Sequence, residues 1–516
     1  MESILALGIF IWIMYLTISY VGSILSNIMS FGGSSNNTQN NNSSALTKIA
    51  LVPVKYGVDR LTGNDGFLST IDKNKLLSSR NSGLLIESKK ELRLSETMSR
   101  QNVLITGGVG FGKTMKFLIN MILDLAQNNR SSSMIIIDPK SEIYAICSNE
   151  LKRQKFEIVV LNPLEIETSL AFNPFSYIEN DSDIEVMIRG LFSSSSSRNK
   201  NDVFWVESGI ALTILLLKLL LYIDDEKYIN MANLKFLLNQ VNNKANSDLD
   251  KLFAKYATPD MLSEFTRFKA YDETVLMSIV ATSSMALAPI SNNEDLKKLL
   301  STNSFDFNRL RSERIALFIQ IPVQLSNSYN FLISTFISNM MNRAILNKIP
   351  TSNDNSITFF LEEFGNFKLN NFQNYINIAR GYGVSMIAII QSVEQVEHLY
   401  GKASAEIILS AFNTKIFFGG ASLPTNNTLA GMIGKKRIIQ NGKTVFETVM
   451  QSSEIRTLKS DETLLFIQNF KPTKLKVYSY WDIPRFRSVT NKTQYQQTTR
   501  NIVYFVDYLD IQGLIR

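Results

Sequence analysis

The stretch Gly107 to Thr114, with the sequence GGVGFGKT, constrains the fold more than any other part of the chain. It follows the apolar run Val103-Leu104-Ile105 and precedes apolar residues at helical spacing, so the pattern predicts a strand, a tight loop and a helix. Glycines in such a loop let backbone N–H groups converge on phosphate oxygens at the positive end of a helix. A glycine-rich turn without a ligand is the alternative. The pattern favours a P-loop in an α/β domain.

Each residue type in this P-loop has a physical role. Lys113 would neutralise the outer phosphates of a nucleotide, and Thr114 would offer its hydroxyl to Mg²⁺. Phe111 is bulky for a position that is commonly small. The other predicted cofactor-binding positions, which would present backbone groups, are Gly107, Gly108, Val109, Gly110, Phe111 and Gly112. The predicted cofactors are ATP and Mg²⁺.

A pair of carboxylates, Glu362 and Glu363, ends the apolar strand pattern SITFFL at 356–361. Adjacent side chains on a strand point in opposite directions, so Glu362 can face Mg²⁺ while Glu363 orients the attacking water. The buried-strand pattern that ends at Asp138 is the alternative position for the metal-binding carboxylate. Another apolar strand ends at Gln391, and strand C-termini line the ligand crevice of a parallel sheet. We therefore expect Gln391 near the P-loop.

The chemistry open to this chain is narrowed by its composition. Its 516 residues predict two or three domains, and they contain one cysteine and one histidine. This excludes a disulfide framework and argues against a His/Cys metal site. Catalysis must therefore rest on carboxylates, lysine, arginine and bound Mg²⁺.

The N-terminal segment Ser3 to Phe31 has no charged residue and is long enough for a helix to cross a bilayer. A cleaved signal peptide is the alternative, but its basic start is missing because Glu2 is the only charged side chain before Lys48. Lys48, Lys55 and Arg60 favour the C-terminal side as the inside, where ATP is available. We predict a single-pass cell-membrane anchor with the bulk of the chain in the cytoplasm.

Residues 181–300 have long helical periodicity and few strand patterns, which predicts an inserted all-α domain. Its segment Ile210 to Ile223 resembles a second membrane span, but the apolar core is short and contains Lys218, which favours a buried helix. Between 183 and 300 there are 13 basic and 15 acidic residues, including Asp224-Asp225-Glu226. This charge suits a basic protein partner better than DNA, although the insert could simply complete the fold.

The formal charge of +7 is concentrated towards the C-terminus, because residues 434–516 contain 14 basic and 7 acidic side chains. A basic surface suits nucleic acid. For a single run such as Lys435-Lys436-Arg437, a solvated face that keeps the protein soluble is the alternative.

Eight segments occur in the order and spacing of the type IV secretion coupling proteins, the membrane-anchored ATPases of conjugative DNA transfer, and the resemblance spans roughly residues 50–485. These segments are GGVGFGKT (107–114), IIIDPKSEIY (135–144), FNPF (172–175), DVFWVESGIALT (202–213), ALFIQIP (316–322), FFLEEFGNF (359–367), ARGYG with IIQSVEQVEHLYG (379–401), and LKSDETLLFIQNFKP (458–472).

The resemblance implies a RecA-like P-loop nucleotide-binding domain with an inserted all-α domain, assembled as a homohexamer at the membrane. Its expected partners are single-stranded DNA, relaxase or relaxosome proteins, and type IV secretion channel proteins. Carried over by motif, Lys113 and Thr114 match the Walker A residues and Glu362 and Glu363 match the Walker B pair. Gln391 matches the glutamine that senses the γ-phosphate. Arg380 matches an arginine finger that acts on a neighbouring subunit.

The chain differs from the family pattern at three points. Glu362 stands where aspartate is usual, Ser141 stands where glycine usually follows the DPK motif, and one N-terminal span is visible where many members have two. The predicted organisation is an anchor, a polar linker, a first nucleotide-binding part, the all-α insert, a second nucleotide-binding part and a C-terminal tail, at residues 1–31, 32–47, 48–180, 181–300, 301–486 and 487–516. Two other functions stay open: a nucleotide-binding receptor scaffold with little turnover, and a chromosome-segregation type of DNA translocase.

Overall fold

The computed structural model describes residues 66–129, 131–195, 203–241, 247–291, 293–440, 443–490 and 504–516. All of them belong to one compact unit, Arg60–Arg516. The predicted membrane anchor (1–31) and polar linker (32–47) lie outside the described residues.

The strands of the described chain form a central nine-stranded sheet and two small antiparallel sheets, β1–β2 and β10–β11. The order in the large sheet is β13-β12-β9-β3-β8-β7-β4-β6-β5. The strands are β1 (Leu85–Glu87), β2 (Leu92–Arg93), β3 (Val103–Thr106), β4 (Ser132–Ile137), β5 (Glu157–Leu161), β6 (Ile315–Ile319), β7 (Ser356–Leu361), β8 (Val384–Ile390), β9 (Thr414–Phe417), β10 (Lys435–Gln440), β11 (Lys443–Thr448), β12 (Glu462–Ile467) and β13 (Thr473–Lys476).

From β9 to β5 every neighbouring pair in the large sheet is parallel, and β12 and β13 close one edge in antiparallel pairing. The parallel strands are continuous apolar runs because helices cover both faces. Successive side chains of β3 alternate between the faces, with Leu104 in one core cluster and Val103 and Ile105 in the other. The α/β fold predicted from the sequence is confirmed.

Helices connect the strands and cover both faces of the sheet. They are α1 (Thr70–Leu76), α2 (Glu96–Ser99), α3 (Ile119–Asn128), α4 (Glu142–Arg153), α5 (Asp181–Ser195), α6 (Val203–Ile223), α7 (Met231–Gln240), α8 (Ser247–Tyr256), α9 (Pro259–Lys269), α10 (Glu273–Ala286), α11 (Ala288–Ser291), α12 (Glu294–Leu299), α13 (Arg309–Ser312), α14 (Ser326–Met340), α15 (Phe372–Ile378), α16 (Val393–Tyr400), α17 (Lys402–Ser410), α18 (Leu423–Ile433), α19 (Ser452–Arg456), α20 (Pro484–Thr490) and α21 (Ile511–Ile515).

Between β5 and β6 every element that the structure describes is helical. The long helix α6 could span a membrane by length and composition alone. Ten of its 21 residues are buried, and its apolar side chains belong to the same core cluster as one face of the sheet. Lys218 on this helix forms an ion pair with Asp181, with 2.6 Å between Nζ and Oδ2. The helix therefore packs as a core element, as Lys218 indicated.

The C-terminal residues 504–516 pack against the helices between β5 and β6. Tyr504 donates a hydrogen bond from its hydroxyl to the Ser169 carbonyl at 2.9 Å, and the Leu509 amide donates to Asn233 Oδ1 at 2.9 Å. Leu509 and Ile511 are buried in the core cluster that contains α6. This segment is therefore docked, whereas the sequence predicted a C-terminal tail from 487. The predicted boundary also falls inside α20.

Candidate active site

The P-loop follows β3 at the C-terminal edge of the sheet, and its backbone needs glycine. Gly110 and Gly112 have φ values of 82° and 74°, a region that side chains with a β-carbon rarely adopt. The Gly108 amide donates a hydrogen bond to the Gly419 carbonyl at 3.1 Å. A β-carbon on Gly108 would lie 2.6 Å from the Gly420 carbonyl oxygen, so the close contact between the two loops excludes a side chain there.

Lys113 lies over the P-loop, and its ammonium donates hydrogen bonds to the carbonyls of Gly107 and Gly108 at 2.7 and 2.9 Å. Burial lowers the pKa of Lys113, and the charge of Glu363 opposes this only in part. Thr114 begins a π-helical turn, Thr114–Leu118, that continues into α3. The cation predicted to meet phosphate is therefore held at the loop by the loop's own backbone.

The bulky Phe111 does not lie over the P-loop, because its ring turns towards the loop that follows β9. It packs edge-on against Phe418, with ring centroids 6.5 Å apart. A β-carbon on Gly420 would lie 2.5 Å from the Phe111 ring, so the glycine makes room for the phenylalanine. The unusual residue in the motif is matched by a glycine more than three hundred positions later in the chain.

Glu362 follows β7 and is the carboxylate that contacts the P-loop. Its Oε1 accepts a hydrogen bond from the Thr114 hydroxyl at 2.7 Å, although its side chain is almost completely buried. Its Oε2 has no hydrogen-bond partner among the described residues. Burial raises the pKa of Glu362 to about 7, with the Thr114 hydrogen bond acting in the opposite direction. A buried carboxylate oxygen without a partner, next to a hydroxyl, suits a hard cation with oxygen ligands.

Asp138, the alternative carboxylate, ends the neighbouring strand β4 and is used differently. Its Oδ2 accepts a hydrogen bond from the Tyr144 amide at 2.7 Å in the first turn of α4. Its Oδ1 is buried without a partner among the described residues, and burial raises the pKa of Asp138 to about 6. Glu362 and not Asp138 therefore forms the contact with Thr114.

Glu363 points away from Glu362 and accepts hydrogen bonds from three side chains. Its backbone is left-handed, with a φ of 56°. Oε1 contacts Lys140 Nζ at 3.3 Å, and Oε2 accepts from Gln391 Nε2 at 3.1 Å and from Asn366 Nδ2 at 3.0 Å. The carboxylate is therefore fixed in orientation at the same sheet edge as the P-loop.

Lys140 and Asn366 are site residues that the sequence analysis did not single out. Burial alone would lower the pKa of Lys140, but the charge and hydrogen bond of Glu363 outweigh it and raise the pKa. Lys140 follows β4, whose C-terminal end lies at the same edge as that of β7. The following Ser141, where glycine was expected, has a φ of 56°, the conformation that glycine adopts without strain. A polar DPK motif directly after a buried strand was the pattern that could have identified Lys140.

Arg380 is not part of this cluster within one chain. It lies in a 3₁₀ turn, Ala379–Tyr382, directly before β8, and is exposed. Because β8 runs parallel to β3, a residue before β8 lies at the sheet edge opposite to the P-loop. Among the described residues no carboxylate forms an ion pair with Arg380. Arg311 fixes the turn by donating a hydrogen bond to the Tyr382 carbonyl at 2.7 Å.

The family model for type IV secretory system conjugative DNA transfer matches residues 70–502. The plasmid coupling protein TrwB in complex with ADP and Mg²⁺ has a TM-score of 0.61 at 17% sequence identity, covering 80% of this chain and 93% of that chain. TrwB with the non-hydrolysable GTP analogue GDPNP has a TM-score of 0.61 at 16% identity, covering 85% and 95%. TrwB with the ATP analogue ADPNP has a TM-score of 0.60 at 16% identity, covering 86% and 96%. The comparison with curated proteins found no match.

Proposed function

The chain belongs to the type IV secretory system conjugative DNA transfer family, as its motifs predicted, and on that premise we propose that it is a membrane-anchored coupling ATPase. It recruits a relaxase–DNA substrate and uses ATP hydrolysis to deliver or pump single-stranded DNA into a type IV secretion channel. The single observation that supports this best is the hydrogen bond between Thr114 and Glu362, with Glu363 and Gln391 beside it. This places a metal-binding pair and a water-orienting carboxylate next to a P-loop.

The phosphates of ATP bind at residues 107–114. Backbone N–H groups of the loop meet the phosphate oxygens, and the ammonium of Lys113 exchanges the carbonyls of Gly107 and Gly108 for the outer phosphates. TrwB structures contain ADP with Mg²⁺, GDPNP and ADPNP, which supports a nucleotide with Mg²⁺ as the ligand here.

Thr114 and Glu362 fit Mg²⁺, since one hydroxyl and one unpartnered carboxylate oxygen leave the remaining positions to phosphate and water. When bound, this ion would neutralise charge that develops on the transferred phosphoryl group. The ionised form of Glu362 is the one that serves as a ligand, so cation binding offsets the cost of its buried charge.

Glu363 orients the attacking water and accepts its proton. Lys140, Gln391 and Asn366 hold this carboxylate in one orientation, which keeps it aimed at the nucleophile. Gln391 also places an amide next to the position of the terminal phosphate, so it can link the state of the nucleotide to β8.

Arg380 acts on a neighbouring subunit in a homohexamer. Its place at the far edge of the sheet, exposed and unpaired with any described carboxylate, supports a role in trans. A guanidinium that reaches the next subunit's phosphates would stabilise charge there in the transition state.

The insert (181–300) docks relaxase or relaxosome proteins, the basic remainder contacts single-stranded DNA, and residues 1–31 hold the ring at the cell membrane beside the channel. The acidic sequence around Asp224, Asp225 and Glu226 supports this division of work, because it repels phosphates and attracts basic protein surfaces. Replacing these three by Asn, Asn and Gln in the full chain should weaken relaxase binding and leave oligonucleotide binding intact. Loss of oligonucleotide binding instead would contradict the division.

The proposed function is tested by steady-state ATP hydrolysis with and without single-stranded DNA. A coupling ATPase turns over many times and is stimulated by DNA. Release of no more than one phosphate per subunit, with normal nucleotide binding, would instead indicate a receptor scaffold.

A further inference from the structure

The antiparallel hairpin β10–β11 stands apart from the central sheet and presents one exposed face. In its register Lys435 lies opposite Thr448, Arg437 opposite Phe446, and Ile439 opposite Thr444. Opposite residues of an antiparallel pair share a face, so these six side chains form one surface, which we call the hairpin face. Isolated two-stranded sheets are marginally stable in water, so this one depends on its base.

The hairpin face combines large exposed apolar side chains with cations. Phe446 is 65% exposed and Ile439 is 76% exposed. Arg437, directly across from Phe446, donates a hydrogen bond to Thr444 Oγ1 at 3.2 Å, which holds its guanidinium on this face. Neither Lys435 nor Arg437 forms an ion pair with a carboxylate among the described residues. The hairpin face is therefore cationic and has an aromatic ring open to solvent.

The opposite face of the hairpin is different. Lys436 and Glu447 lie across from each other and form an ion pair at 3.3 Å, so their charges compensate. Ile438 on that side is only partly exposed. The uncompensated charge lies on the face that carries Phe446.

We propose that the hairpin face binds single-stranded DNA, with Phe446 stacking on a base and Arg437 and Lys435 contacting phosphates. A single strand offers an unstacked base next to a phosphate, which matches an aromatic ring next to a guanidinium. A duplex keeps its bases stacked inside, so Phe446 has no partner there. A stable interface with a second copy of the chain is disfavoured because such interfaces are depleted in lysine. A membrane surface is disfavoured because cations interrupt the apolar side chains.

The base of the hairpin connects this face to the P-loop. The Val449 amide donates to the Gly434 carbonyl at 3.1 Å, and Ile433 and Met450 on either side are buried against Phe417 of β9. After Met450 the chain enters α19, where the Arg456 carbonyl accepts a hydrogen bond from the Gly420 amide at 3.1 Å.

The adjacent Gly419 carbonyl accepts the hydrogen bond from Gly108 of the P-loop. A strand on the hairpin face is thus one short packed segment away from the nucleotide. This inference rests on the proposed function and specifies the surface that carries DNA.

The test uses the full-length protein and a fluorescein-labelled oligo(dT), with binding followed by fluorescence anisotropy. Phe446→Leu keeps an apolar side chain but loses the ring, and we expect binding weakened about 5-fold to 150-fold, the range for one base stack. Phe446→Tyr keeps the ring and should bind like the wild type. Basal ATP hydrolysis should be unchanged in both, and stimulation by oligo(dT) should be lost only in Phe446→Leu.

The charge component is tested with a matched pair of lysine and arginine variants. Arg437→Gln should weaken binding and lower the slope of log affinity against log salt by about 0.7, the value for one phosphate contact with a single strand. Lys436→Gln removes the same charge from the opposite face and should leave the slope unchanged.

The outcomes separate the hairpin from the proposed function. If the wild type binds oligo(dT) and is stimulated by it, but Phe446→Leu and Arg437→Gln behave identically, the hairpin assignment is wrong and the proposed function stands. If the wild type hydrolyses ATP without binding oligo(dT), the proposed function fails and the hairpin assignment fails with it. Selective loss of binding to phosphatidylglycerol vesicles, or of self-assembly in sedimentation, with oligo(dT) affinity unchanged, would assign the face to a membrane or to a second copy and overturn the inference.

Discussion

Replacing Glu363 by glutamine separates the chemistry of the site from its architecture. The carboxylate accepts hydrogen bonds from Lys140, Gln391 and Asn366. Glutamine has the same size but a single acceptor oxygen, so at least one of these hydrogen bonds is lost, which costs about 0.5–1.5 kcal/mol. The ion pair with Lys140 is half-exposed on the lysine side and contributes about 0.2–1 kcal/mol. We therefore expect the free energy of unfolding to fall by only about 1–2 kcal/mol.

The expected effect of Glu363→Gln on hydrolysis is much larger. A positioned general base contributes about 10²-fold to 10⁴-fold to the rate, or about 3–5 kcal/mol of the activation barrier. Nucleotide binding should change little, because the P-loop amides and Lys113 are untouched. Single-turnover hydrolysis, binding of a fluorescent ATP analogue and thermal unfolding measure the three quantities separately.

The matched control is Asn366→Ala, which removes one donor to the same carboxylate and leaves its charge. It should slow hydrolysis about tenfold or less. Hydrolysis by Glu363→Gln at the wild-type rate would refute the role of Glu363 as a base. A parallel loss of nucleotide affinity would show that Glu363 supports the structure of the site instead.

Lys113→Ala should abolish phosphate release without releasing the protein from vesicles in a flotation assay, since it removes the phosphate counter-charge and leaves the anchor; wild-type turnover would rule out the P-loop assignment. Arg380→Ala subunits mixed with Lys113→Ala subunits should recover part of the activity at shared interfaces, and no recovery despite confirmed co-assembly would remove the role in trans. For Glu362, burial raises the pKa from 4.5 to about 7, so the folded state holds its proton more tightly and stability is lost as pH rises through that window. Without nucleotide and Mg²⁺, Glu362→Gln should therefore gain stability relative to the wild type between about pH 5 and about pH 8, by up to about 3 kcal/mol, and an equal melting-temperature difference at both pH values would contradict this.

The parts of the site that could be predicted from the sequence are those fixed by single strands. β3, β7 and β8 are short apolar runs that end in polar residues, and parallel packing places those ends at one edge. Glu362, Glu363 and Gln391 therefore converge, as the strand patterns indicated.

The parts that could not be predicted depend on strand order and on contacts across the chain. Glu362 and Asp138 end neighbouring strands, and only the order β3-β8-β7-β4 places the former nearer to Thr114. The contact of Lys140 with Glu363 joins residues more than two hundred positions apart. The docking of residues 504–516 rests on Leu509 and Ile511, two apolar side chains in a polar segment too short for a periodic pattern.

The central claim is that hydrolysis at the P-loop moves single-stranded DNA, and strand movement itself is the most direct test. A biotinylated oligonucleotide carrying streptavidin is incubated with the full-length protein, and release of streptavidin is followed over time. We predict release with ATP and Mg²⁺ by the wild type, none with a non-hydrolysable analogue, and none by Glu363→Gln. ATP turnover by the wild type without release of streptavidin would contradict the claim that this site drives the strand.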